Sequence, residues 1–196
     1  MKLIFATQNQ NKLREVNAIL GDSFELISLT DLQFLDELPE THQTLEENAE
    51  EKSRFVYDRF KINCFSEDTG LEIKALLGAP GVYSARYAGE KKIADDNIEL
   101  VLKQLNREKN RKARFRTVIS LILEGHNYFF EGITEGKILA ERRGASGFGY
   151  DPIFVPDGFD RSYAEMNSET KNKISHRKRA IEKMRQFLLQ QFRLFG

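Results

Sequence analysis

The sequence predicts an α/β fold built on a mixed β-sheet, and three observations carry that prediction. Short apolar runs alternate with helical patterns through the first third of the chain, giving a βαβαβ order. A long two-strand pattern follows around Gly125-His126-Asn127, and its antiparallel pairing makes the sheet mixed. A helical pattern with Ile181, Met184, Phe187 and Leu188 on one side then closes the chain.

Each element has its own justification. Residues 2–7 (KLIFAT) form a short apolar run suited to a buried strand, which stops at polar Gln8-Asn9-Gln10-Asn11. Leu13, Val16, Ile19 and Leu20 then fall on one helical face, and Gly21 supplies a stop signal. Residues 24–29 (FELISL) read as a second strand. Thr44-Leu45-Glu46-Glu47 fits a capping box and opens a second helix, with Leu45, Ala49, Lys52 and Val56 along one side. Residues 62–65 make a third strand that ends in Ser66-Glu67-Asp68-Thr69-Gly70. Gly78-Ala79-Pro80-Gly81 is a turn or loop, and Asp95 is placed to cap a helix carrying Ile98, Val101, Leu102 and Leu105. Residues 106–114 (NREKNRKAR) read as a charged, solvated connection. Residues 116–124 and 128–139 form the hairpin, with Gly132 and Gly136 as bulge positions, and the last helix begins near Ser175.

Composition narrows the function. A chain of 196 residues buries roughly 70% of its unfolded surface and needs neither disulfide nor structural metal. Its single cysteine, Cys64, agrees with a reducing compartment and reads as strand packing. Lys+Arg and Asp+Glu are both 30, so no global field points to nucleic acid or to a membrane. No run of 18 apolar residues is present, and the N-terminal apolar stretch is too short for a signal peptide. These features predict a cytoplasmic globular protein, one domain over residues 1–196, with no internal repeat or linker.

Three clusters carry chemistry. Thr7-Gln8-Asn9-Gln10-Asn11-Lys12 sits where the first strand meets the first helix, where free N–H groups and the helix dipole suit an anion. Lys12 adds a point charge, although the same residues also read as a polar loop with an Asn cap. Glu40 in a loop, with Glu67 and Asp68 at a strand end, are acids of the kind through which Mg²⁺ is held alongside substrate phosphates, although such acids also serve as helix caps or turn formers. Near the C-terminus, Lys171 and Ser175-His176-Arg177 offer donors, and the guanidinium suits a keto oxygen or a phosphate. No second His or Cys sits at zinc spacing, and no Gly-x-Ser-x-Gly elbow is present. The stretch SGFGYDP (146–152) places Phe148 between two glycines, either as a turn or as a socket for a flat ligand.

Six segments in order, TQNQNK, ETHQTLEENA, SEDTGLEI, GAPGVYSARYAG, GFGYDPIF and AEMNSETKNKISHR, span nearly the whole chain. Together they resemble the inosine/xanthosine triphosphate pyrophosphatases, the Ham1-like family acting on non-canonical purine nucleotides. The resemblance implies an elongated mixed β-sheet with flanking helices and two lobes around a central substrate cleft. It implies Mg²⁺-dependent hydrolysis of ITP, dITP or XTP to the monophosphate and pyrophosphate, by a homodimer. Carried onto this chain, Thr7, Asn9 and Lys12 would hold phosphates, with Gln8, Gln10 and Asn11 also substrate-binding and further charge from Lys52 and Lys171. Glu40 and Asp68 would hold the metal, Asp68 also activating water, and Thr69 would lie next to the substrate. Phe148 would stack on the base, and Gly149, Tyr150, Asp151, His176 and Arg177 would read its edge. Gln8, His42 and Leu45 depart from the common pattern, in the phosphate loop and the Glu40 loop. A related pyrophosphatase of modified pyrimidine nucleotides, a nucleotide-binding regulator and a basic-loop interaction protein are the alternative readings.

Overall fold

The computed structural model describes residues 1–21 and 24–195, with side chains through residue 191. The elements are β1 (Lys2–Phe5), α1 (Gln10–Leu20), β2 (Glu25–Ser28), α2 (Leu45–Phe60), β3 (Cys64–Ile73) and β4 (Pro80–Gly81). They continue with α3 (Ala94–Gln104), β5 (Lys112–Leu123), β6 (His126–Ile138), β7 (Phe154–Pro156), α4 (Ser168–Ile174) and α5 (His176–Phe195). The strand order is β2-β1-β3-β5-β6-β7, with β4 on β3. β1 pairs with β2 and β3 in parallel, whereas β4 on β3 and β7 on β6 are antiparallel, so the sheet is mixed as predicted.

The chain forms two compact units. The first comprises Met1–Asp68, Thr117–Gly132 and Arg177–Gly196, and the second Thr69–Arg116 and Ile133–His176. In the first unit, strand alternation sorts side chains onto two faces. Leu3 and Phe5 of β1, Phe65 of β3, and Ile119 and Leu121 of β5 pack with Val16 and Leu20 of α1 and Ala180, Ile181, Met184 and Leu188 of α5. Ile4 and Ala6, Cys64 and Ile122 face the other way, against Val56 of α2, Leu29 and Phe34. Phe5 and Phe65 stack at 4.6 Å between centroids. In the second unit, Leu71, Ile73, Phe115, Ile138 and Phe154 from the strands pack with Ile98, Val101 and Leu105 of α3 and with Tyr150, Ile153, Tyr163 and Met166.

The differences from the sequence expectation have local causes. β3 does not end at Phe65 but runs on to Ile73, so the SEDTG stretch lies within a strand. α3 starts at Ala94 behind Ile93, whose side chain makes no cap hydrogen bond, and Asp95 sits in the first turn instead of capping. Residues 112–114 of the charged stretch belong to β5. A short helix α4, capped by Asn167 through the Thr170 N–H, precedes extended Ser175, and α5 begins at His176.

Candidate active site

In the first unit the chemistry gathers on the two faces of one strand. Adjacent residues of a strand point to opposite sides, so Glu67 and Asp68 of β3 serve different clusters. The even positions face α2, where the Ser66 hydroxyl donates to the Ala49 carbonyl and the Lys52 ammonium lies 3.2 Å from Asp68 Oδ1. The same ammonium is 2.7 Å from Glu40 Oε1, so one buried lysine bridges two carboxylates distant in sequence. Burial alone would pull the Lys52 pKa down, but Asp68 and Glu40 outweigh it and hold it above the ordinary lysine value. Burial pushes the Asp68 carboxyl up, with Lys52 and Lys12 opposing.

The Glu40 loop is tied to α2 by Asn48 and Glu51, which sequence reasoning missed, and by the Thr44 cap, which it expected. Asn48, 1% exposed, accepts from the His42 N–H at 2.9 Å and donates to the His42 carbonyl at 3.2 Å. The Glu51 carboxylate accepts from the Thr41 N–H at 3.1 Å and from the Thr41 hydroxyl at 2.9 Å. Thr44 caps the helix by accepting from the Glu47 N–H. Glu51 and Lys52 each lie about one turn beyond Asn48 on α2, so neighbouring positions of one helix place both the loop and the bridging lysine. The available signal was an asparagine beside the stripe of Leu45, Ala49, Lys52 and Val56. His42 and Leu45 therefore leave the loop well held, Leu45 being buried.

The odd face of β3 carries Glu67. The Arg177 guanidinium donates from Nε to Glu67 Oε2 at 2.7 Å and from Nη2 to Oε1 at 2.8 Å, and it also pairs with Glu15. Lys12 Nζ lies 3.2 Å from Glu67 Oε1. Burial would raise the Glu67 pKa, yet Arg177 and Lys12 hold it far below the ordinary carboxylate range. Arg177, in the first turn of α5, is 1% exposed and its donors are engaged by two acids. In the loop before α1, Asn9 Oδ1 accepts from the Asn11 and Lys12 N–H groups, and Thr7 Oγ1 accepts from the Asn9 N–H. The Asn cap is thus present, and it already engages two of the N–H groups expected to face an anion. Gln10 opens α1, Asn11 Oδ1 accepts from Arg14, and Gln8 donates to the Asp36 carbonyl at 3.0 Å.

In the second unit the GFGYD stretch is a built turn. Asp151, 3% exposed, accepts through Oδ2 from the Phe148 N–H at 2.9 Å and from Lys171 Nζ at 2.5 Å. A Cβ on Gly147 would stand 2.1 Å from that oxygen, and Gly147 has φ +80°, so both space and backbone demand glycine there. The Lys171 ammonium sits 4.8 Å from the Phe148 ring centroid, a cation–π contact. Asp151 accordingly holds the turn and the lysine together. Gly149, φ +59°, continues the turn. Tyr150 is a core side chain whose hydroxyl donates to the Ser84 carbonyl at 2.8 Å. His176 is buried and stacks on Phe115 at 4.6 Å, and Thr69 is half-buried on β3.

A divalent cation fits the donor set of Glu40 and Asp68. These are hard oxygen ligands of opposite accessibility, Asp68 nearly buried and Glu40 about a third exposed along its side chain. Among the described residues no group of three or more His, Cys, Asp or Glu side chains converges on a metal position. The pair matches Mg²⁺, which is usually held by one or two carboxylates and completed by phosphates and water.

A sequence profile of the Ham1 family matches residues 3–187. The chain belongs to the Ham1 family. It is 49% identical over 184 residues to the dITP/XTP pyrophosphatase of Flavobacterium johnsoniae, covering 94% of this chain and 96% of that one. It is 51% identical over 189 residues to the protein of the same name from Porphyromonas gingivalis, covering 96% and 97%. Among solved structures, the Staphylococcus aureus Ham1 protein superposes with a TM-score of 0.88 at 36% identity, covering 97% of this chain and 100% of that one. The nucleoside-triphosphatase / dITP/XTP pyrophosphatase of Mycobacterium abscessus gives 0.76 at 39% identity, with 94% and 98% covered. The mixed α/β architecture is therefore the Ham1 fold.

Proposed function

We propose that this Ham1-family chain hydrolyses non-canonical purine nucleoside triphosphates, dITP, XTP and ITP, to the monophosphate and pyrophosphate with Mg²⁺. The observation that carries the reading is the pair of carboxylates, Glu40 and Asp68, gathered around the Lys52 ammonium beside Lys12. Relatives about half identical over nearly the full length, and named for this activity, support it. Phosphoryl chemistry asks a protein mainly to position groups and neutralise charge, and acids with lysines are the parts it requires.

In this reading Glu40 and Asp68 hold the ion, which when bound polarises the phosphate and eases deprotonation of water. Asp68 orients the attacking water and accepts its proton, and burial brings its carboxyl closer to that task. Thr7, Gln8, Asn9, Gln10, Asn11 and Lys12 line the polyphosphate. Phe148 supplies the ring for the base, held by Asp151 and backed by Lys171. In the same reading Thr69 lies next to the substrate, and Gly149 and His176 read the edge of the base. A site that presents donors to a 6-oxo group refuses adenine, since each unsatisfied buried donor costs about 1–3 kcal/mol. We further propose that the two compact units are the lobes of one domain, that the enzyme is a homodimer, and that it is cytoplasmic. Exposed Leu77 and half-exposed Tyr83 suit a second copy, and the lone buried thiol suits a reducing compartment. No helix among the described residues is long and apolar enough to cross a membrane.

The test offers purified protein ITP, dITP, XTP, ATP and GTP with Mg²⁺ and separates pyrophosphate from orthophosphate. Pyrophosphate from the first three and little product from ATP and GTP is expected. Asp68→Asn should lower kcat by about 10²–10⁴-fold, the usual worth of a positioned acid or base. Orthophosphate as the initial product would refute α–β cleavage.

A further inference from the structure

We propose that Lys52 is an internal counter-ion: its ammonium holds Glu40 and Asp68 together until a divalent cation displaces it, and the displaced ammonium then serves the polyphosphate. The proposal rests on the reading of Glu40 and Asp68 as metal ligands. Two observations and one electrostatic argument support it. Lys52 is 3% exposed, and a lysine is almost never fully buried unless it is paired. Its Nζ lies 2.7 Å from Glu40 Oε1 and 3.2 Å from Asp68 Oδ1, between the oxygens that would ligate the ion. Two like cations cannot share that position, because their repulsion in a poorly solvated site is large.

The surroundings confine the movement to the side chain. The Ser66 hydroxyl donates to the Ala49 carbonyl, and Cys64 Sγ lies 3.2 Å from the Ser53 carbonyl, so α2 is fastened to β3 on both sides of Lys52. The Ser53 and Ser120 hydroxyls meet at 2.7 Å and fasten it to β5 as well. What remains free to swing is the flexible four-carbon stem of the lysine. The device has two consequences. The two carboxylates avoid facing each other without a cation, which would otherwise drive one of them to protonate. The lysine also becomes available to phosphate only once the ion is in place, which couples metal loading to substrate binding.

The experiment uses nucleotide-free full-length protein and Mn²⁺ alone as the probe, with affinity measured by electron paramagnetic resonance. Lys52→Gln should bind Mn²⁺ about tenfold or more tightly than the parent, since the competing charge is gone, and Lys52→Arg should stay near the parent. In parent protein grown with ¹³C-labelled lysine, the Lys52 Cε signal should shift as Mg²⁺ is added. If Lys52→Gln fails to fold, that signal alone decides. Equal or weaker Mn²⁺ binding by folded Lys52→Gln, or a Lys52 signal unmoved at saturating Mg²⁺, overturns the proposal alone. Parent-like Mn²⁺ binding by Glu40→Gln and Asp68→Asn overturns the metal-ligand reading and the proposal with it.

Discussion

At Arg177 the guanidinium is buried with both prongs on Glu67 and a third contact on Glu15, a closed ion cluster in the first unit. Breaking a buried pair from one side strands the remaining charge, which costs about 3–5 kcal/mol. Arg177→Ala is therefore expected to lose roughly that much stability in urea unfolding, before any effect on base preference is read. Arg177→Lys keeps the charge but loses the fork, and should fall between the two. An alanine variant within about 0.5 kcal/mol of the parent, the range of an inert surface change, would show that the cluster contributes little. The sequence places this arginine at a helix start, as found, but does not show its partners. Ser-His-Arg at a helix start looks like a presented cation, and the acids that bury it lie in α1 and β3.

The element that matters most for the candidate site is α2. Its buried face is Leu45, Asn48, Ala49, Lys52, Ser53 and Val56, half of them polar. Asn48→Ala removes both hydrogen bonds to the His42 backbone and is expected to cost about 1–3 kcal/mol. Because those bonds hold the Glu40 loop, the variant should also need more Mg²⁺ for half-maximal activity, with kcat at saturating Mg²⁺ near the parent value. A Mg²⁺ titration of activity checks both. Unchanged Mg²⁺ demand would detach the loop from the ion. β3 shows the complementary lesson. A polar run ending in glycine read as a strand end, yet the strand continues because Ser66, Glu67 and Asp68 each find a buried partner across the fold.

For the molecule as a whole, the lone thiol reports on integrity. Burial pushes Cys64 from 9.0 up to about 12, so the thiolate is scarce at neutral pH and the side chain is inert. A thiol-reactive dye at pH 8 should label native protein only through opening, and urea-unfolded protein at once. Because the folded pKa is the higher one, this group's stabilising contribution is present in full below about pH 9. It is lost as pH rises through about pH 12. Urea unfolding across that alkaline window should show the decline, and Cys64→Ala should flatten it. Rapid labelling of native protein would mean that the strand layer opens far more readily than its packing implies.

Periodicity and punctuation determined much of this protein without further help. The strands β1, β2 and the start of β3, the capped helices α1 and α2, the hairpin and the mixed sheet follow from apolar spacing and from capping residues at helix ends, because those signals act over a few residues. The short β4 and β7 do not follow from them. The order of six motifs likewise pointed to the family before any geometry was known. Only the tertiary structure decided which charges meet: Lys52 with Glu40 and Asp68, Arg177 with Glu15 and Glu67, Asp151 with Lys171. A buried ion pair forms between residues whose separation along the chain carries no signal. Its partners are chosen by which strand face and which helix face are packed together, and packing is a property of the folded whole.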